Sequence, residues 1–193
     1  MVAQLQDAGV VQVFDYGTDQ GEPFVVMELL AGEDLETRLS RVERLPLQAV
    51  TTLISQVARG LEVAHLANIV HRDLKPGNLF LARTAQGEQA KILDFGLASV
   101  RPLSLAESGE PIPVAGTPQY MSPEQISTPG LVDFRTDLYA LGVVVYRALT
   151  GQLPFTAATS AGLLWQICNP EVMPPLPSSL VPELTPEVDQ FLA

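Results

Sequence analysis

His71-Arg72-Asp73-Leu74-Lys75-Pro76-Gly77-Asn78 crowds five polar side chains into eight residues, directly after the short apolar piece Asn68–Val70. Proline and glycine so close together forbid a helix, so the segment reads as a loop that aims polar groups from a rigid base. Sixteen residues after Asn78 a second carboxylate, Asp94, closes the extended run Lys91-Ile92-Leu93 and is followed by Phe95-Gly96. The runs Leu79–Ala82 and Ala90–Leu93, joined through Thr84–Glu88, predict a hairpin that brings Asn78 and Asp94 side by side. Asp and Asn oxygens, with room for water and phosphate, are the hard ligands that Mg²⁺ prefers. Lys75 offers a point charge for a phosphate, and Asp73 is suited to orienting a nucleophile and taking up its proton. A lone His-Arg-Asp is usually a surface ion pair and a lone Asp-Phe-Gly usually a turn. Seven specified positions within eight, however, match by chance only about once in 10⁹ windows, and the second motif then falls at a suitable distance.

Outward from this loop, Val10–Tyr16 and Pro23–Glu28 are β-branched and aromatic runs around the turn-rich Gly17–Glu22, which predicts an antiparallel hairpin. Leu35–Arg44 reads as a helix capped by Asp34. From Leu47 to Leu66 the residues Val50, Leu53, Ile54, Val57, Leu61 and Ala64 recur at helical spacing without a proline, which predicts one long amphipathic helix. Ser99–Val114 is rich in Pro, Ser, Gly and Glu and reads as an exposed loop. Asp137–Thr150 is apolar nearly all round, with Asp137 as its cap, and belongs at the centre of a domain. Ala158–Cys168 predicts a further helix, Pro170–Pro182 a proline-rich surface run, and a last helix starts near Pro186.

The chain has 193 residues, 47% hydrophobic and 17% charged, which suits a globular domain with a real core. Eleven Lys and Arg against 22 Asp and Glu give a net charge of −11, a field that disfavours nucleic acid and anionic lipid. The one cysteine, Cys168, can form no internal disulfide and reads as packing, so a reducing, cytoplasmic setting is expected. No apolar stretch is long enough to span a bilayer, and no secretion signal is visible. His65, near the end of the long helix, reads as a structural histidine that suits the helix dipole.

His71–Asn78 and Asp94-Phe95-Gly96 resemble the catalytic loop and metal-binding motif of the eukaryotic-type protein kinases. Gly116-Thr117-Pro118-Gln119-Tyr120-Met121-Ser122-Pro123-Glu124 resembles the segment that closes the activation loop, with Ser122 where the family usually has alanine. Asp137-Leu138-Tyr139-Ala140-Leu141-Gly142 resembles the start of the family's central buried helix. Lys75-Pro76 and Thr117 resemble the serine/threonine-specific branch, and Gly77 and Phe80 give the loop a bacterial look.

The resemblance implies an α+β protein kinase-like fold: residues 1–30 as a remnant of the N-lobe with its hairpin and hinge, and residues 31–193 as the helical C-lobe. It implies ATP and Mg²⁺ as cofactors and serine or threonine of proteins as acceptors. Asp73 then receives the substrate hydroxyl, Lys75 the γ-phosphate, and Asn78 and Asp94 the Mg²⁺ ions. Met27 gates the back of the adenine pocket, the backbone of Glu28 and Leu30 binds the adenine edge, and Phe80 forms the floor. Arg72 pairs with a phosphate on the activation loop, where Ser99, Ser104 and Ser108 are candidates, and Thr117 sits at the substrate platform. His71, Phe95 and Val13 resemble members of a packed hydrophobic column. Glu33 and Glu36 are placed to favour basic substrate peptides.

The family's Gly-rich loop, its Val-Ala-Ile-Lys lysine and that lysine's glutamate partner are not in this sequence, and Met1–Gly9 matches at best the end of the helix that carries the glutamate. The buried arginine that pairs with the glutamate at Glu124 would lie beyond Ala193. A chain of these residues alone is therefore expected to be a poor kinase, completed by a missing N-lobe or a second kinase chain. The alternative is a non-catalytic kinase-like binding module, against which the retention of Asp73, Lys75, Asn78 and Asp94 argues. A small-molecule phosphotransferase is disfavoured by the match from Gly116 to Glu124.

Overall fold

Two helices of opposite character organise the molecule, a computed structural model that describes residues 5, 7–95 and 117–192. Taking the helices in chain order, α1 is Leu35–Val42 and α2 is Leu47–Leu66, followed by α3 (Pro123–Ser127), α4 (Arg135–Thr150), α5 (Ser160–Cys168), α6 (Pro177–Leu180) and α7 (Pro186–Leu192). On α2 the buried residues Val50, Leu53, Val57, Leu61 and Ala64 return every three or four positions, so one stripe faces inward and the rest is solvated. α4 is buried on nearly every side, from Ala140 through Val143, Val144, Val145 and Tyr146 to Leu149. It packs against α2 and stops at Gly151, whose φ of 75° is the left-handed conformation that closes a helix C-terminus. The predicted start at Asp137 is too late: the helix begins at Arg135, and Asp137 is an interior residue rather than its cap.

The sheet content is small and antiparallel. Strands β1 (Val13–Asp19) and β2 (Glu22–Met27) pair as a hairpin. Its turn is only Gln20-Gly21, both at positive φ (50° and 88°), so the strands run through most of the expected Gly17–Glu22 turn. Strands β3 (Gly32–Asp34), β4 (Leu79–Thr84) and β5 (Gly87–Ile92) form a second sheet in the order β3-β4-β5. β3 was not visible in the sequence pattern. It needs Gly32, because a Cβ there would lie 2.0 Å from the Leu81 carbonyl oxygen. Asn68–Val70 is not a strand: Asn68 turns left-handed (φ 58°) and the Ile69 N–H returns to the Ala64 carbonyl, which ends α2.

The β1–β2 hairpin exposes Phe14, Tyr16 and Phe24. It is joined to the body by the Val10–Ile92 bridge, where the Val11 N–H donates to Ile92 O and the Ile92 N–H to Gly9 O. A second tie is the Glu28 carboxylate, which accepts from Lys91 Nζ (2.5 Å) and the Gln12 N–H (2.9 Å). Among the described residues no helix is long and apolar enough to cross a membrane.

Candidate active site

The loop after α2 is held from beneath by one carboxylate. Asp137, 1% exposed, accepts the backbone N–H of His71 on Oδ2 and that of Arg72 on Oδ1, both at 2.8 Å, and His65 Nε2 donates to Oδ2 at 2.8 Å. Three donors around one buried carboxylate fix the path of the chain into Asp73. His65 is thus a strut, its ring also set against Phe134 with centroids 5.6 Å apart. The sequence reading missed this role of Asp137; the signal was an acid near the start of an otherwise apolar helix.

His71 is 1% exposed and packs edge-on to Phe95, with centroids 4.9 Å apart. Its Nε2 donates to the Leu93 carbonyl (2.8 Å), which leaves Nδ1 to accept the Asp73 N–H (3.2 Å). Burial lowers its pKa below the usual 6.5, against the pull of the Leu93 carbonyl and nearby carboxylates. The unfolded chain therefore binds a proton here more readily than the folded one, so stability is full above about pH 6.5 and falls as the pH drops through that value. The loss is expected to reach at most about 1.4 kcal/mol per pH unit. A ring-NMR titration of His71 is expected to give a midpoint below the ordinary 6.5; a midpoint at or above it would sink this assignment.

The polar groups converge above this base. Lys75 Nζ donates to Asp73 Oδ2 at 2.7 Å, and Asn78 Nδ2 donates to the Asp73 carbonyl (2.7 Å) and more weakly to Asp73 Oδ2 (3.3 Å). Pro76–Asn78 is a 3-10 turn that carries Asn78 into β4. The β4–β5 register pairs Leu79 with Ile92, and the Leu93 N–H donates to Asn78 O, so Asp94 follows directly on the residue opposite Asn78. Asn78 spends its amide N–H groups on Asp73, which leaves Oδ1 as a ligand oxygen. Asp94 is exposed, at φ 58°, and its carboxylate has no hydrogen bond or ion pair among the described residues. Two hard oxygens from Asn78 and Asp94 fit a divalent cation that draws its other ligands from phosphate and water. Among the described residues no cluster of three or more His, Cys, Asp or Glu side chains offers a site complete in protein ligands.

Met27 ends β2, Glu28 and Leu30 follow it half-buried, and Phe80 is half-buried on β4 opposite Asp34 and Lys91. Val13 is half-buried on β1. Burial alone would raise the Glu28 pKa, but the Lys91 and Gln12 hydrogen bonds outweigh it and lower the value. Gly96, Ser99, Ser104, Ser108 and Gly116 lie outside the described residues.

Beside Lys75 opens a cavity of about 560 Å³ lined by Glu36, Thr117, Gln119, Tyr120 and Arg147. Arg147 donates to both Glu36 oxygens (2.6 and 2.5 Å) and to the Tyr120 hydroxyl (2.6 Å). Glu33 is likewise taken by Arg38 (2.5 Å) and Arg41 (2.6 Å). Glu33 and Glu36, expected to favour basic substrate peptides, thus both already have guanidinium partners. Ser122 is fully buried, hydrogen-bonded to Thr136 Oγ1 (2.7 Å), and caps α3. Glu124 is half-buried and makes no ion pair among the described residues.

The description "Protein kinase domain" belongs to the family model that matches residues 1–192. Serine/threonine-protein kinase pkn2 of Myxococcus xanthus is 39% identical over 175 residues, 90% of this chain and 21% of its own length. Pkn1 of the same organism is 41% identical over 173 residues, 89% of this chain and 24% of its own. PknL of Mycobacterium tuberculosis is 36% identical over 193 residues, 100% of this chain and 46% of its own. The chain thus spans less than half the length of these curated relatives. With the family model matching residues 1–192, this chain belongs to the protein kinase domain family.

Proposed function

We propose that this chain is the core of a cytoplasmic serine/threonine protein kinase, with residues 1–30 as N-lobe remnant and 31–193 as C-lobe. The observation that carries the reading is the cluster in which Lys75 and Asn78 both reach Asp73 while Asp94 follows directly on the residue opposite Asn78. Named relatives at 36–41% identity are serine/threonine-protein kinases, and the family uses ATP with a divalent metal.

In this reading Asp73 orients the acceptor hydroxyl and takes its proton as the oxygen bonds to the γ-phosphorus, and the bond to the ADP oxygen breaks. Lys75, hydrogen-bonded to Asp73 before substrate arrives, turns its charge to the γ-phosphate. Asn78 and Asp94 would hold Mg²⁺, which neutralises phosphate charge when bound. Met27, the backbone of Glu28 and Leu30, and Phe80 would enclose adenine. Arg72, exposed beside the loop, would meet a phosphorylated activation segment, and Thr117, on the cavity beside Lys75, would face the peptide.

The test is incubation of the natural full-length protein with labelled ATP, Mg²⁺ and a protein acceptor, followed by phosphoamino-acid analysis. Label on serine and threonine that disappears with EDTA is expected. Label on tyrosine, or transfer indifferent to EDTA, would overturn the reading.

A further inference from the structure

Gln125 lies in α3, a helix of the segment that follows residues 96–116, and the assigned chemistry gives it no part. Its side chain spans two elements. Oε1 accepts the Ser122 N–H at 3.1 Å, the returning half of a capping box, while Nε2 donates to the backbone carbonyl of Arg72 at 2.7 Å. An N–H on one side and a C=O on the other determine which end of the amide is which.

That carbonyl belongs to the peptide unit immediately before Asp73. Arg72 has φ 67°, a left-handed conformation uncommon for a residue with a Cβ, which persists where surroundings over-determine it. Its N–H is bound by Asp137 Oδ1, its C=O by Gln125, and the N–H of the same peptide unit, that of Asp73, by His71 Nδ1. Asp137 and His71 anchor the peptide from the core. Gln125 is the grip from the opposite side, and it is the one supplied by the activation segment's end.

We propose that Gln125 is a positioning residue for Asp73: its Nε2–H clamps the Arg72 carbonyl and so makes the direction of the Asp73 side chain depend on a correctly folded α3. The inference rests on Asp73 being the base proposed above. It assigns Gln125 a second duty beyond capping, and the two duties use opposite ends of one amide.

Substitutions that keep one end separate them. Gln125→Glu still accepts from Ser122 but turns an acceptor oxygen toward the Arg72 carbonyl. Gln125→Lys loses the cap acceptor but keeps a donor for that carbonyl. In the full-length protein, Q125E is expected to lower kcat about 3- to 10-fold, the worth of one net hydrogen bond, with KM for ATP unchanged. Q125K should lose less than about twofold. Amide hydrogen exchange at Asp73 should quicken several-fold in Q125E and stay within about twofold of wild type in Q125K, which loses the cap acceptor but keeps the donor. The reverse order, equal losses in both variants, or no loss in either overturns the clamp. The exchange readout needs no catalysis, so a protein without Asp73-dependent transfer would sink the kinase reading while the clamp itself is still decided.

Discussion

Asp73→Asn is expected to lower kcat for protein phosphorylation by about 10² to 10⁴-fold, the usual worth of a positioned general base. Asparagine is nearly isosteric, and the backbone carbonyl of residue 73 still receives Asn78 Nδ2 as it does now at 2.7 Å. The side-chain oxygen facing Lys75 also persists as a neutral acceptor. What is lost is the group able to take the proton, so the thermal midpoint should move by no more than a few degrees and KM for ATP by little. A steady-state assay beside a melting curve checks both halves. A loss below tenfold in a folded protein would place the proton acceptor elsewhere. A collapse in stability alongside the activity would mean that the Asp73–Lys75 pair, with side chains 33% and 26% exposed, is an architectural bond rather than a poised one.

The elements legible in the sequence were those whose cause is local. The stripe from Val50 to Ala64 declares α2 because burial follows a 3.6-residue period, and Asp34 declares the start of α1 because its carboxylate accepts the Thr37 N–H at 2.8 Å. The loop around Asp73 was legible because proline and glycine exclude other structures. What stayed hidden depends on partners far along the chain. β3 has three residues and exists only because β4 lies beside it, far along the sequence yet directly paired in space, Gly32 with Ala82 and Asp34 with Phe80. The β1–β2 turn is tighter than the composition suggests, Gln20-Gly21 alone within Gly17–Glu22, because Gln20, not glycine, adopts the first positive φ. The partner of Glu36, Arg147, lies 111 residues away and leaves no trace in the local sequence. Gln125 and Asp137 were hidden for the same reason: each acts on a backbone group more than 50 residues distant, and nothing in local periodicity encodes that.

Asp137→Ala should destabilise the protein by about 3 to 5 kcal/mol, because it strands two backbone N–H groups and a histidine donor in a place water does not reach. For a chain of this size that is a fall of roughly 6 to 20 °C in melting temperature. Asp137→Asn should lie between. Its carbonyl oxygen can keep one backbone N–H, but its amide sets a donor against another, and only His65 can adapt by changing tautomer. Denaturant titration with hydrogen exchange at the His71 and Arg72 amides is the check, and a D137A variant within 1 kcal/mol of wild type would remove Asp137 from its place as the loop's anchor. The pattern across the two aspartates is the sharper discriminator. Asp73 stands at the end of a chain of fixed peptides and Asp137 at its root, so D73N should lose activity and keep the fold, whereas D137A should lose stability and activity together. If D137A kept its activity while losing stability, Asp73 would be oriented by something other than the N–H groups that Asp137 holds, with Gln125, on the Arg72 carbonyl, a remaining grip.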